Sequence, residues 1–97
     1  MGRRKRIQPA KLKIKLRAIR SQMGLTLQEM SESLKKYAPN EFIDTSYVSQ
    51  FEKGKREPSL GILLAYSKLS GLSMNVLVDD ELDLPKGRES ARNRVTR

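Results

Sequence analysis

The residues best placed to do chemistry lie in one run, Asp44-Thr45-Ser46-Tyr47-Val48-Ser49-Gln50-Phe51-Glu52-Lys53-Gly54-Lys55-Arg56-Glu57-Pro58-Ser59. On a helical repeat, Val48 and Phe51 turn toward a core, while Thr45, Ser46, Ser49, Gln50 and Lys53 turn away from it. Ser and Thr hydroxyls donate to or accept from several base edges, and a Gln amide matches the N6/N7 pair of adenine. The outer face therefore has the groups to read a major groove. Lys53, Lys55 and Arg56 follow at its C-terminal end, where cations hold phosphates and fix a helix in register. An amphipathic helix with a solvated polar face explains the outer residues equally well; the basic turn directly behind it favours the binding reading.

Composition removes most other chemistry. With no cysteine and no histidine, disulfides, thiolate zinc sites, Ser-His and Cys-His catalysis and imidazole acid-base work are excluded. Asp79, Asp80, Glu81 and Asp83 read as a solvated acidic stretch rather than a metal site, so the expectation is a non-enzyme without cofactor or metal. The net charge of +9 is unevenly spread. Residues 1–20 hold nine Lys/Arg and no acid, residues 86–97 hold five bases and one acid, and residues 21–85 hold six bases against ten acids. Basic ends around a mildly acidic middle suit tails that grip a polyanion while a folded domain aims them. No apolar run approaches the ~18 residues that cross a bilayer, so no membrane segment and a cytoplasmic location are expected.

Positioning the reading face requires helices, and the chain supplies their signals. Leu12, Leu16, Ile19 and Met23 recur at steps of four, three and four, marking one face of a helix that ends before Gly24. Thr26-Leu27-Gln28-Glu29 has the form of a capping box, with Leu25 and Met30 as its hydrophobic staple. A second helix is predicted from Leu27 to about Lys36, burying Leu27, Met30 and Leu34, with Ser31 as a small residue at a close helix crossing; Pro39 bounds it. Asp44 is an N-cap flanked by the Ile43/Val48 staple, so the third helix spans Thr45 to about Lys53 and stops at Gly54. Pro58 and Ser59 open a fourth helix to Ser70, and Ser73 caps a short fifth. No strand pattern appears.

These segments resemble the Cro/phage-repressor (Xre-type) helix-turn-helix family. The likeness rests on Leu16-Arg17-Ala18-Ile19-Arg20, Gly24-Leu25-Thr26-Leu27-Gln28-Glu29, the run from Ser46 to Ser59 and Gly71-Leu72-Ser73, and spans roughly residues 11–78. It implies an all-α, compact five-helix, lambda-repressor-like DNA-binding domain whose third helix enters the major groove, with symmetric dimers on palindromic half-sites. Carried over by position, Thr45, Ser46, Ser49 and Gln50 are implied as base readers, and Gln28, Tyr47, Lys53, Lys55 and Arg56 as phosphate contacts. Arg20 and Glu52 are implied as an ion pair bracing the first helix against the third. Three positions depart from the family pattern. Lys35 to Phe42 form an elongated connection in place of a tight turn, Leu27 stands where many members carry glutamine, with Gln28 one step later, and Ser70 stands where leucine is usual.

The expected organisation is a basic disordered arm over 1–9, the helix-turn-helix domain over 10–80, and an acidic then basic disordered tail over 81–97. Arg3, Arg4, Lys5 and Arg6 in the arm have the charge to enter a neighbouring minor groove or follow the phosphates. On the fourth helix, Leu60, Leu63 and Tyr66 point to one side and Ile62, Ala65 and Leu69 to another. The second side, with Met74, Val76 and Val78, is a candidate homodimer surface. The expected partner is double-stranded DNA, in the role of a sequence-specific transcriptional regulator. The alternative is an antitoxin or adaptor whose domain tethers a protein partner through the 35–42 loop or the tail.

Overall fold

The computed structural model describes residues 10–85; the expectations for Arg3, Arg4, Lys5 and Arg6, and for the tail beyond Pro85, fall outside the described residues. Among the described residues the chain is all-α, with helices α1 (Leu12–Met23), α2 (Leu27–Tyr37), α3 (Thr45–Lys53), α4 (Leu60–Ser70) and α5 (Met74–Val78). The caps read from the sequence set these boundaries. Thr26 Oγ1 accepts from the Glu29 N–H at 3.0 Å while Glu29 Oε1 accepts from the Thr26 N–H at 2.9 Å, so two donors at the start of α2 are satisfied reciprocally. Asp44, Ser59 and Ser73 accept from the N–H groups of Tyr47, Ile62 and Val76 in the same manner.

One core joins all the helices. Leu16, Met30, Leu34, Ile43, Val48, Phe51, Ala65, Tyr66 and Leu77 are almost wholly buried, with α2 packed on α3 and α4, α1 on α3 and α5, and α4 on α5. At ~25 cal/mol per Å² of apolar surface, this burial is the main term holding α3 in place. Ser31 is buried, with its hydroxyl returned to the Gln28 carbonyl at 2.8 Å.

Three expectations are corrected by packing, and one buried residue went unremarked in the sequence. Met23, in the last turn of α1, is 38% exposed and does not join the buried face of Leu12, Leu16 and Ile19. Leu27 is half-buried against the edge of the core rather than inside it. On α4 both apolar sides are spent on the core: Ile62 and Ala65 are buried along with Leu63 and Tyr66, while Leu60 is 73% exposed. The inward face of α1 contains a charge, Lys15, which is only 4% exposed. It lies in the i, i+3, i+4, i+7 stripe of Leu12, Leu16 and Ile19, so the backbone aims it inward. Its ammonium donates to the carbonyls of Val76, Asp79 and Leu82 at 2.6, 2.9 and 2.7 Å, which uses all three protons on α5 and the turn that follows it.

The acidic stretch after α5 is structural as well as solvated. The Asp80 carboxylate accepts from the backbone N–H of Ala10 at 2.8 Å and of Lys11 at 3.1 Å, and Lys11 Nζ lies 3.6 Å from Asp83. An anion thus sits at the N-terminus of α1, where unpaired N–H groups and the helix dipole favour negative charge. Lys11, the cap position of α1, supplies no side-chain cap, and Asp80 from the far end of the domain instead accepts from the two amides just before the helix.

The hydrogen bonds from Lys11 and then Ala10 hold the Asp80 carboxyl below its ordinary range. A carboxylate with a depressed folded pKa stabilises the fold above its unfolded value near ~4, and that contribution disappears as pH falls through the folded value. Asp80→Ala is expected to melt at a lower temperature than wild type near neutral pH, with the gap narrowing below pH ~4. Circular dichroism melts across an acid series check this; a gap that does not change with pH would refute it.

Candidate nucleic-acid interface

α3 begins on a fixed entry. Ile43 and Val48 are fully buried on either side of Asp44, whose Oδ1 accepts from the Tyr47 N–H at 2.8 Å. Its exit is fixed by Gly54 in the left-handed region, φ 76°, which lets the N–H groups of Lys55 and Arg56 both reach the Gln50 carbonyl, at 2.9 and 3.3 Å. A side chain bearing a Cβ is strained at that φ. The turn directs the chain sharply off the helix, and Lys53, Lys55 and Arg56 are all left exposed around it. Cations at this end also complement the negative pole of α3.

The outward side chains form a connected set. Gln50 Nε2 donates to Ser46 Oγ at 3.0 Å, one turn back, and Arg56 Nε donates to Gln50 Oε1 at 3.3 Å. The Arg56 guanidinium lies over the Tyr47 ring, 4.0 Å from its centroid, a cation–π arrangement. Tyr47 in turn meets Phe42 edge-on at 5.0 Å and Phe51 edge-on at 6.2 Å between centroids. Thr45 and Ser46 are exposed, while Ser49 and Gln50 are half-buried on the same helix. Gln28 sits exposed in the first turn of α2 and donates its amide to Glu32 Oε2 at 3.2 Å.

Behind this face Arg20 and Glu52 meet in a two-pronged pair: Nε donates to Oε2 at 2.7 Å and Nη2 to Oε1 at 3.0 Å. Nη1 donates to the Leu25 carbonyl at 2.9 Å, so one guanidinium ties α1, the α1–α2 turn and α3 together. The Glu52 side chain is 6% exposed, and its hydrogen bonds push the Arg20 guanidinium further up from an already high pKa. Tyr66 is wholly buried close enough to sense both charges. Burial first, and then the Glu52 carboxylate, push its phenol well above the ordinary range, so it stays neutral.

Two contributors were missed in the sequence. Lys13 lies against the α3 exit: a methyl group on Gly54 would meet its aliphatic stem at 2.8 Å and its ammonium at 3.5 Å. It therefore adds a cation beside Lys53, Lys55 and Arg56, and only the packing of α1 on α3 reveals it, since nothing along the chain links positions 13 and 54. A cleft of about 280 Å³ runs between the start of α1 and this turn, lined by Lys13, Gly54, Arg56 and Pro58 among others. Phe42 is the second. It is 65% exposed, and its spacing to Tyr47 across the Asp44 cap was its only sequence signal.

The chain matches the helix-turn-helix family model over residues 16–77, from the middle of α1 through α5. This protein belongs to the helix-turn-helix family of the Cro/phage-repressor type. Among solved structures the helix-turn-helix fold here is similar to the P22 c2 repressor protein, crystallised in complex with synthetic operator 9T in the presence of Tl+. The likeness has a TM-score of 0.56 and 25% identity, covering 71% of this chain and 94% of that one. No curated protein matches the sequence.

The departures from the helix-turn-helix pattern have physical accommodations. The α2–α3 connection, residues 38–44, is pinned by buried Ala38 and Ile43, and the Glu41 carboxylate lies against Gly61 in the first turn of α4, where a Cβ would collide with it. At Ser70 the hydroxyl accepts from the Leu72 N–H at 3.2 Å and Ser67 Oγ donates to the Leu72 carbonyl at 2.6 Å, so the α4 exit is closed by hydrogen bonds rather than by a buried leucine.

Removing one partner of a buried pair leaves the other charge uncompensated, at a cost of roughly 3–5 kcal/mol. Glu52→Ala is therefore expected to lose about that much stability in urea titrations, and Arg20→Met with Glu52→Met together to lose less than the two single changes summed. Simple additivity would show that the pair does not brace the helices.

Proposed function

We propose that this protein is a sequence-specific DNA-binding transcription regulator that lays α3 in the major groove of duplex DNA. The observation that carries the reading is the join between two unlike surfaces on one short helix. Thr45, Ser46, Ser49 and Gln50 offer hydrogen-bonding groups along it, and Lys53, Lys55 and Arg56 gather at its exit. In this reading the first group touches base edges and the second touches phosphates, with Gln28, Tyr47 and Lys13 flanking the backbone. The family membership and the likeness to a repressor crystallised with operator DNA support the same reading. Arg3, Arg4, Lys5 and Arg6 extend the contact along the adjacent groove.

A palindromic site calls for a second copy, and we propose a homodimer built on the apolar side chains that α4 and α5 leave exposed, Leu60, Leu64 and Val78. Ile62 and Ala65 are spent on the core and take no part. Sedimentation equilibrium with a selected duplex is expected to give two chains per duplex, reduced to one in Leu60→Glu/Leu64→Glu; a single wild-type chain per duplex rules the dimer out.

Selection of bound duplexes from random DNA, followed by two variants, tests the reading. Gln50→Ala is expected to relax preference at particular bases, with a loss of about 1–3 kcal/mol on the preferred site only. Lys55→Ala is expected to weaken every duplex alike and to reduce the log-log salt slope by about 0.9. Equal, sequence-blind losses from both variants would remove Gln50 as a reader.

A further inference from the structure

Phe42 is a large aromatic side chain, 65% exposed, at the end of the elongated α2–α3 connection. Core burial does not account for it. Its neighbours are held on both sides: the Glu41 N–H donates to the Ala38 carbonyl at 3.1 Å with its side chain against Gly61, and Ile43 is fully buried. The backbone between two such anchors has little freedom, and it directs Phe42 onto the edge of Tyr47, 5.0 Å between centroids with the rings 79° apart.

From there the contacts run without a break to the reading face. Tyr47 is held edge-on between Phe42 and core residue Phe51, and the Arg56 guanidinium rests over its ring at 4.0 Å. Arg56 Nε donates to Gln50 Oε1, and Gln50 Nε2 donates to Ser46 Oγ. Because an arginine nitrogen only donates, the amide must present its oxygen toward Arg56 and its nitrogen toward Ser46. Each amide atom then keeps one unused position, one N–H and one lone pair, which is the pair that adenine N6/N7 requires.

We infer that Phe42 is a positioning residue for Gln50: through Tyr47 and Arg56 it fixes which way the Gln50 amide faces, and so sets the base preference without touching a base. This deepens the DNA-binding reading and rests on it. The elongated connection, in this view, does more than lengthen the chain. It supplies the outer wall of the Tyr47 ring, without which that ring is confined on one side only and Arg56 loses its platform.

The test uses the full chain with F42A, F42Y, Q50A and the F42A/Q50A pair, in two arms. In the free protein, NMR signals of the Arg56 Nε–Hε and Gln50 side-chain amide groups are expected to move in F42A and return toward wild type in F42Y. On selected duplexes, F42A is expected to lower discrimination at the Gln50-dependent base by about threefold to tenfold, over and above any loss it shares with random DNA through the Arg56 phosphate contact. In the Q50A background, F42A adds no further loss of discrimination. Unmoved Arg56 and Gln50 signals, or an equal loss on all duplexes that persists in the Q50A background, overturn the role of Phe42 alone. A wild-type chain with no base preference overturns the DNA reading, and this inference with it.

Discussion

Everything on the outer face of α3 depends on a carboxylate that the fold does not release. Glu52 lies in the penultimate position of α3, nearly out of contact with water, and its charge is tolerated only because Arg20 grips both oxygens. Two hydrogen bonds in a fork fix an angle as well as a distance, so the pair locks the rotation of α3 about its own axis relative to α1. The third bond of Arg20, to the Leu25 carbonyl, adds the start of α2 to the same lock. If α3 rolled about its axis by one residue, 100°, Ser46 and Gln50 would leave the outer face. The hydrophobic core alone tolerates small slides of this kind more readily than a bidentate ion pair does.

Above that lock, the polar side chains of α3 are organised before any ligand arrives. A free glutamine samples many rotamers, and ordering it on binding costs free energy. Here Ser46 and Arg56 already hold Gln50, and Tyr47 already holds Arg56. The cations are arranged on a similar principle. Lys53, Lys55, Arg56 and Lys13 cluster where α3 ends, at the pole of the helix that attracts positive charge, so their mutual repulsion is partly offset by the scaffold itself.

What was legible in the sequence is what is local. Thr26 with Glu29, Asp44 with Ile43 and Val48, and Gly54 each act within a few residues, and they delimited α2 and α3 from the chain alone. The identity of the outward residues of α3 followed from helical spacing in the same way. What escaped depends on contacts between elements. Nothing along the chain marks Lys15 until α5 and the turn after it bring three carbonyls over it, and Asp80 reads as a solvated acid until the residues before α1 arrive beside it. Leu60 and Ile62 have nearly the same hydropathy, and only the positions of α2 and α5 decide which is buried. The placement of Lys13 and Phe42 at the site is of the same kind, set by helix packing and by loop anchoring rather than by any pattern along the chain.

The bonds from Ala10 and Lys11 to Asp80 close the described chain almost into a ring. A ring of this kind does not fray independently at its two ends. Opening that frees the carbonyls of Val76, Asp79 and Leu82 from Lys15 also draws Asp80 away from the Ala10 and Lys11 amides just before α1, so the two ends of the domain are coupled. The Asp80 bonds of this seam are solvent-facing and its Lys15 bonds are buried, whereas α3 packs on α1 and α2. Opening at that seam is thereby compatible with a fixed α3 within a single small core.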